Sequence, residues 1–84
     1  MSYRVEILRR AQKTLARLPK QDYERVRDAI SALAGDPRPA GCRKLTGRAG
    51  WRIRVGPHRV IYEIEDVARV VTVLDVGPRR DIYR

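Results

Sequence analysis

Apolar and polar positions change period twice along the chain. Tyr3, Val5 and Ile7 alternate with Arg4 and Glu6. A period of two marks a half-buried strand, so residues 3–8 read as a first strand. The period then becomes helical. Leu8, Ala11, Leu15 and Leu18 recur at helical spacing, with Arg9, Arg10, Lys13 and Arg17 between them. Pro19 ends this helix, because the residue before a proline avoids helical angles. A second helix is expected from about Asp22 to Ala34, with Tyr23, Val26, Ile30 and Leu33 as its apolar stripe. Asp22 and Glu24 fall in its first turn, where the helix dipole favours negative charge. Gly35, Pro37 and Pro39 supply the stop. So few residues join the helices that they should form an antiparallel hairpin.

The period then returns to two. Trp51, Ile53 and Val55 alternate with Arg52 and Arg54; Gly56 and Pro57 make a turn; Val60, Tyr62 and Ile64 alternate with Arg59, Ile61 and Glu63. Glu65 and Asp66 offer a second turn, and residues 69–76 read as a strand apolar enough on both faces to be central. Short links between successive strands predict hairpins and an antiparallel meander. The expected fold class is therefore α+β: an N-terminal strand, an antiparallel helix hairpin, then a β-meander with both helices on one sheet face. Residues 1–84 form one domain, with a small core and little room for a deep pocket.

Charge sharpens the picture. Nineteen Lys and Arg oppose ten Asp and Glu, a formal net charge of +9, and only Lys13, Lys20 and Lys44 of the cations are lysine. Such a chain is drawn to polyanions. Cys42 is the single cysteine, so no internal disulfide can form, and no Cys/His cluster offers a metal site. The amino terminus lacks the pattern of a signal peptide and no apolar run reaches spanning length. A cytoplasmic protein with no membrane contact, no metal and no cofactor is expected.

The candidate chemistry lies in the second half. If Trp51, Ile53 and Val55 face the helices, Arg52 and Arg54 point outward together, roughly 6.5–7 Å apart along the strand. An in-register hairpin sets Arg59 beside them. The tail carries Arg79, Arg80 and Tyr83 and can fold over the same sheet end. Arginine stays charged and offers a planar donor fork that matches phosphate oxygens. Tyrosine can stack on a base. Lys44, in a Lys-Leu-Thr-Gly stretch, reads equally as an exposed loop lysine or a phosphate contact. His58, beside the Gly56-Pro57 turn, reads as an exposed turn residue rather than a general base, and Tyr62 and Trp51 as core. Glycine-rich phosphate loops, nucleophile elbows and metalloprotease helices are absent from the sequence.

Four segments in order, Lys44-Leu45-x-Gly47, Trp51-Arg52-Ile53-Arg54-Val55, His58-Arg59-Val60-Ile61-Tyr62 and Val76-Gly77-Pro78-Arg79-Arg80-Asp81-Ile82-Tyr83, resemble the RelE/ParE superfamily of type II toxins, specifically its RelE-like branch. The resemblance spans nearly the whole chain. It implies a metal-independent endoribonuclease that cuts messenger RNA on the ribosome and is neutralised by a cognate antitoxin. It assigns RNA and scissile-phosphate contacts to Arg52 and Arg54, transition-state stabilisation to Arg59, the leaving group to Arg79, and base stacking with alignment of the nucleophile to Tyr83; Lys44 and Arg80 would contact RNA. Where better-known members carry lysines on the first of these strands, this chain has arginines, which cannot be tuned into a general base.

Cleavage is then expected through the RNA's own 2′-hydroxyl. Two alternatives share the fold: a ParE-like inhibitor of DNA gyrase, and a non-catalytic binding or co-repressor module. Operator DNA is expected to be met only indirectly, through the antitoxin.

Overall fold

The structure, a computed structural model, describes residues 2–78. Its elements are β1 (Arg4–Ile7), α1 (Arg9–Arg17), α2 (Lys20–Ala32), β2 (Arg43–Lys44), β3 (Trp51–Val55), β4 (His58–Glu65) and β5 (Val70–Pro78). They form the expected α+β arrangement, with the helices packed on one face of a single five-stranded sheet. Leu18 turns extended ahead of Pro19, and α2 starts at once after the proline. One residue thus closes the first helix and opens the second, two positions earlier than Asp22. Asp22 stays in the first turn.

Strands β2 to β5 make the predicted antiparallel meander. The first strand does not continue that pattern. β1 pairs in parallel with β5, giving the order β1-β5-β4-β3-β2. The sheet is therefore mixed, and its first and last strands in sequence are neighbours. A parallel partner needs a long crossover, and the helix hairpin is part of the connection that makes it.

Helix residues Ala11, Leu15, Val26, Ile30 and Leu33 pack with Ile53, Val60, Tyr62, Val71, Val73 and Val76 to form the core. Leu8, assigned to the helix stripe by periodicity, lies just before α1 and is 43% exposed. Val73 and Val76 are three residues apart, yet both are buried in this core. An irregularity makes this possible: Ile61 pairs with Asp75 and Tyr62 with Val73, leaving Leu74 as an extra residue in β5. A bulge of this kind resets the alternation of a strand. It explains why the last strand looked apolar on both faces.

Two contacts tie loops to this core. Tyr62, fully buried, donates its hydroxyl to the Pro37 carbonyl at 2.7 Å. At the far end of the sheet, Asp66 accepts hydrogen bonds from Tyr3 at 2.6 Å and from Arg38 at 2.9 Å, while the Arg38 guanidinium lies 5.1 Å from the centre of the Trp51 ring. Three segments distant in sequence meet there. Among the described residues, no helix is long and apolar enough to cross a membrane.

Candidate nucleic-acid interface

The register of three strands builds the site. Trp51, Ile53 and Val55 pair with Tyr62, Val60 and His58; Arg52 and Arg54 pair with Ile61 and Arg59. Strand alternation puts the first set on the helix side, where Ile53, Val60 and Tyr62 join the core. Arg52, Arg54 and Arg59 consequently share the face away from the helices. Arg54 and Arg59 lie directly opposite each other. The two-residue turn joining them has Gly56 at φ 59°, the sign required at the first central position of a tight II′ hairpin turn.

The sheet also places a residue that the sequence reading missed. Arg43 of β2 pairs with Arg52, whereas Lys44 pairs with Trp51. By register Arg43 joins the arginine face and Lys44 belongs to the opposite one. The missed signal was a two-residue strand, too short for any period to show. The face thus holds two like-charge pairs directly across strands, Arg43–Arg52 and Arg54–Arg59. Such pairs destabilise a sheet by themselves. The charge on this face is also segregated: further along β4, the same alternation puts Glu63 and Glu65 at the other end.

The arginines differ in exposure. Arg54 is exposed and Arg52 half-buried, but Arg59 is only 1% exposed. Arg59 does land beside Arg54, as an in-register hairpin requires, and it is buried there. A guanidinium largely withdrawn from water acts more strongly on a nearby anion than one at an open surface. A cavity of about 240 Å³ opens at this sheet end, bordered by Arg54, Gly56, Pro57, His58 and Arg59. It is large enough for a phosphate group and too small for a folded partner.

His58 departs from the reading of an exposed turn histidine. Its side chain is 13% exposed, and Nε2 lies 3.3 Å from Asp22 Oδ2 in the first turn of α2. The imidazole is engaged on the helix side, opposite the arginines. Trp51 is half-buried and Tyr62 buried, as core residues should be. Burial pushes the Tyr62 phenol well above its ordinary range, so it stays protonated at neutral pH. Arg79, Arg80 and Tyr83 lie outside the described residues. Among the described residues, no group of three or more His, Cys, Asp or Glu could hold a metal ion.

A family model described as the ParE toxin of the type II toxin–antitoxin system parDE matches residues 5–83. The chain belongs to the RelE/ParE superfamily of type II toxins. Among solved structures, the archaeal RelE–RelB complex of Pyrococcus horikoshii contains a chain 33% identical, with a TM-score of 0.84, the match covering 96% of this toxin and 99% of that chain. The isolated RelE toxin of E. coli is 25% identical with a TM-score of 0.79, covering 98% and 92%. A YoeB/ParE toxin from Agrobacterium tumefaciens shares the fold at 17% identity, with a TM-score of 0.77 and coverage of 90% and 98%. None of the curated proteins matches the toxin.

Proposed function

We propose that this toxin is a metal-independent endoribonuclease that cuts messenger RNA on the ribosome. The observation that carries the reading is the Arg43–Arg52 and Arg54–Arg59 arrangement, two like-charge pairs on adjacent strands of one sheet face. A phosphodiester is complementary to such a cluster of guanidinium forks, and an apolar metabolite is not.

In the proposed reaction the 2′-oxygen adjacent to the scissile bond attacks phosphorus and gives up its proton to water. The bond from phosphorus to the 5′-oxygen breaks, and that oxygen takes up a proton from water. The products are a 2′,3′-cyclic phosphate and a 5′-hydroxyl. Arg52 and Arg54 hold the phosphate, and Arg59, nearly dry, stabilises the charge that grows on its equatorial oxygens. Charge already in place when the transition state forms is often the largest catalytic term. Arginine cannot take the 2′ proton at neutral pH, and His58 is held on the other face by Asp22. Tyr83 is the residue assigned to stack on the base and align the nucleophile, with Arg79 at the leaving group and Arg80 on the flanking backbone. A cognate antitoxin with an acidic segment would cover the arginine face, as charge complementarity favours.

The family description as a ParE toxin favours a second reading, a gyrase-directed inhibitor without RNA chemistry. One experiment separates the two. Wild type, Arg54→Ala and the Arg59→Ala/Arg79→Ala variant are expressed, and new 5′ ends are mapped on translated messages. The ribonuclease reading expects cuts in translated regions, reduced about 10²–10³-fold by loss of one charge-stabilising group. A message with a 2′-deoxy nucleotide at the cut site should stay intact. Growth arrest with intact messages and gyrase-dependent DNA damage would overturn it.

A further inference from the structure

We propose that Asp22 and His58 form a tether that positions Arg59 from behind the sheet, and that His58 is a positioning residue rather than a base. The inference rests on the ribonuclease reading of the arginine face.

Arg54 and Arg59 face each other directly at the hairpin end, a like-charge pairing that is unfavourable by itself. The ladder between β3 and β4 stops at Val55–His58, with only Gly56 and Pro57 beyond it. On its other side β4 stays in register with β5, His58 opposite Pro78 and Arg59 opposite Gly77, so only the β3 side of the hairpin ends at the turn. The reaction needs Arg59 held in a narrow geometry, since positional errors of about 1 Å can cost as much as a hundredfold in rate.

The structure places an anchor one residue away. His58 and Arg59 are adjacent, so their side chains leave the strand on opposite faces. His58 reaches Asp22 at 3.3 Å across a contact that is 13% exposed on the histidine side and 30% on the aspartate side. Asp22 sits in the first turn of α2, where the positive end of the helix dipole favours its carboxylate. One turn on, the Arg25 guanidinium lies near Gly56 of the same hairpin. Helix α2 therefore meets the turn there, and the hydrogen-bonding contact is Asp22 on His58. Fixing the His58 backbone fixes that of Arg59.

The same geometry removes His58 from proton transfer. Its Nε2 faces Asp22, and its Nδ1 is buried without a hydrogen-bond partner. A proton on Nε2 makes that nitrogen the donor to the Asp22 carboxylate. A base needs access to the proton it takes; here Nε2 is engaged by Asp22 and Nδ1 is buried.

Three variants and two readouts test this. Glutamine can set an amide N–H close to where Nε2 lies, so His58→Gln keeps the tether and His58→Ala removes it. Asp22→Asn weakens it from the other side. With ribosome-bound message as substrate, His58→Ala should lower kcat about tenfold with KM little changed. His58→Gln should restore kcat to within about threefold of wild type, the tether being a hydrogen bond and not a proton relay. Asp22→Asn in the His58→Ala background should cost nothing further. Independently of activity, the Nε–Hε resonance of Arg59 in NMR spectra of the full chain should move in His58→Ala and Asp22→Asn and stay in place in His58→Gln.

A His58→Gln variant as inactive as His58→Ala, with the pH profile altered, would make His58 a proton acceptor and overturn the proposal. So would an Arg59 resonance that ignores all three changes. Should the wild type cut no RNA, the ribonuclease reading fails, while the resonance still decides whether the tether exists. If His58→Ala does not fold, His58→Gln and Asp22→Asn carry the same comparison.

Discussion

Replacing Tyr62 by Phe removes a single oxygen from the middle of the molecule. The ring is fully buried between the sheet and the α2–β2 connection, and its hydroxyl donates to the Pro37 carbonyl at 2.7 Å. Phenylalanine keeps the ring and its packing, so no cavity term arises. What is lost is one hydrogen bond, and a carbonyl is left unsatisfied beside a buried proline. Together these cost about 1–2 kcal/mol. An 84-residue chain has total stability on the order of 4–13 kcal/mol, so the loss is a large share of it. Melting should fall by roughly 4–16 °C. Urea unfolding is the assay: the midpoint should drop with an unchanged slope, because the surface exposed on unfolding is the same.

A second measurement uses the phenol's acidity. Burial raises the Tyr62 pKa in the folded state. Its contribution to stability is therefore complete below the unfolded value of about 10 and lost as pH rises through the folded value. Wild type should lose stability steeply above pH ~10, and Tyr62→Phe should lack that component. Equal midpoints at neutral pH, or identical alkaline profiles, would refute the assignment of this hydrogen bond as the tie between loop and sheet.

The remaining predictions concern other parts of the fold. Asp66 is held below the usual carboxylate range by its hydrogen bond from Arg38 and then by that from Tyr3; its contribution is present above the unfolded value of about 3.9 and lost as pH falls through the folded one. Asp66→Asn should thus melt lower than wild type at pH 7, with the gap narrowing as pH falls below the unfolded value; a gap of constant size would mean that charge is not its cause. Gly56→Ala places a side chain at φ 59°, and should cost about 1–2 kcal/mol in urea unfolding, while Gly35→Ala, with no such angle and its nearest neighbour at 3.8 Å, should not. Because register puts Arg43 and not Lys44 on the arginine face, Arg43→Ala should weaken RNA binding and lower the salt slope by about 0.7–0.9 for one lost phosphate contact. Lys44→Ala should leave both unchanged; the opposite ranking in filter binding over a salt series would show that the short strand is misaligned.

Much of this toxin could be read along the chain, because its information there is local. Period-two stretches at Trp51–Val55 and Val60–Ile64 specify strands and their faces wherever one side must be buried. The helix boundary at Pro19 follows from backbone sterics, and the Gly56-Pro57 turn sets the register that brings Arg54 opposite Arg59. The class of fold and the placement of Arg52, Arg54 and Arg59 on one face needed nothing further. Other features depend on segments far apart in sequence. Neither the parallel seat of β1 beside β5 nor the joining of Arg43 to the arginine face leaves a periodic trace, since each is chosen by which sheet edge is free. The bulge at Leu74 was hidden because it reconciles two buried valines with opposite parity. His58 showed only a residue type beside a turn. Its attachment to Asp22, thirty-six positions away, arises when α2 docks on the sheet, and the burial of Arg59 on the opposite face left no trace in the period of its strand. Local sterics and periodicity set the elements and their faces; exposure and partnership belong to the packed molecule, where chain distance no longer limits which charges meet.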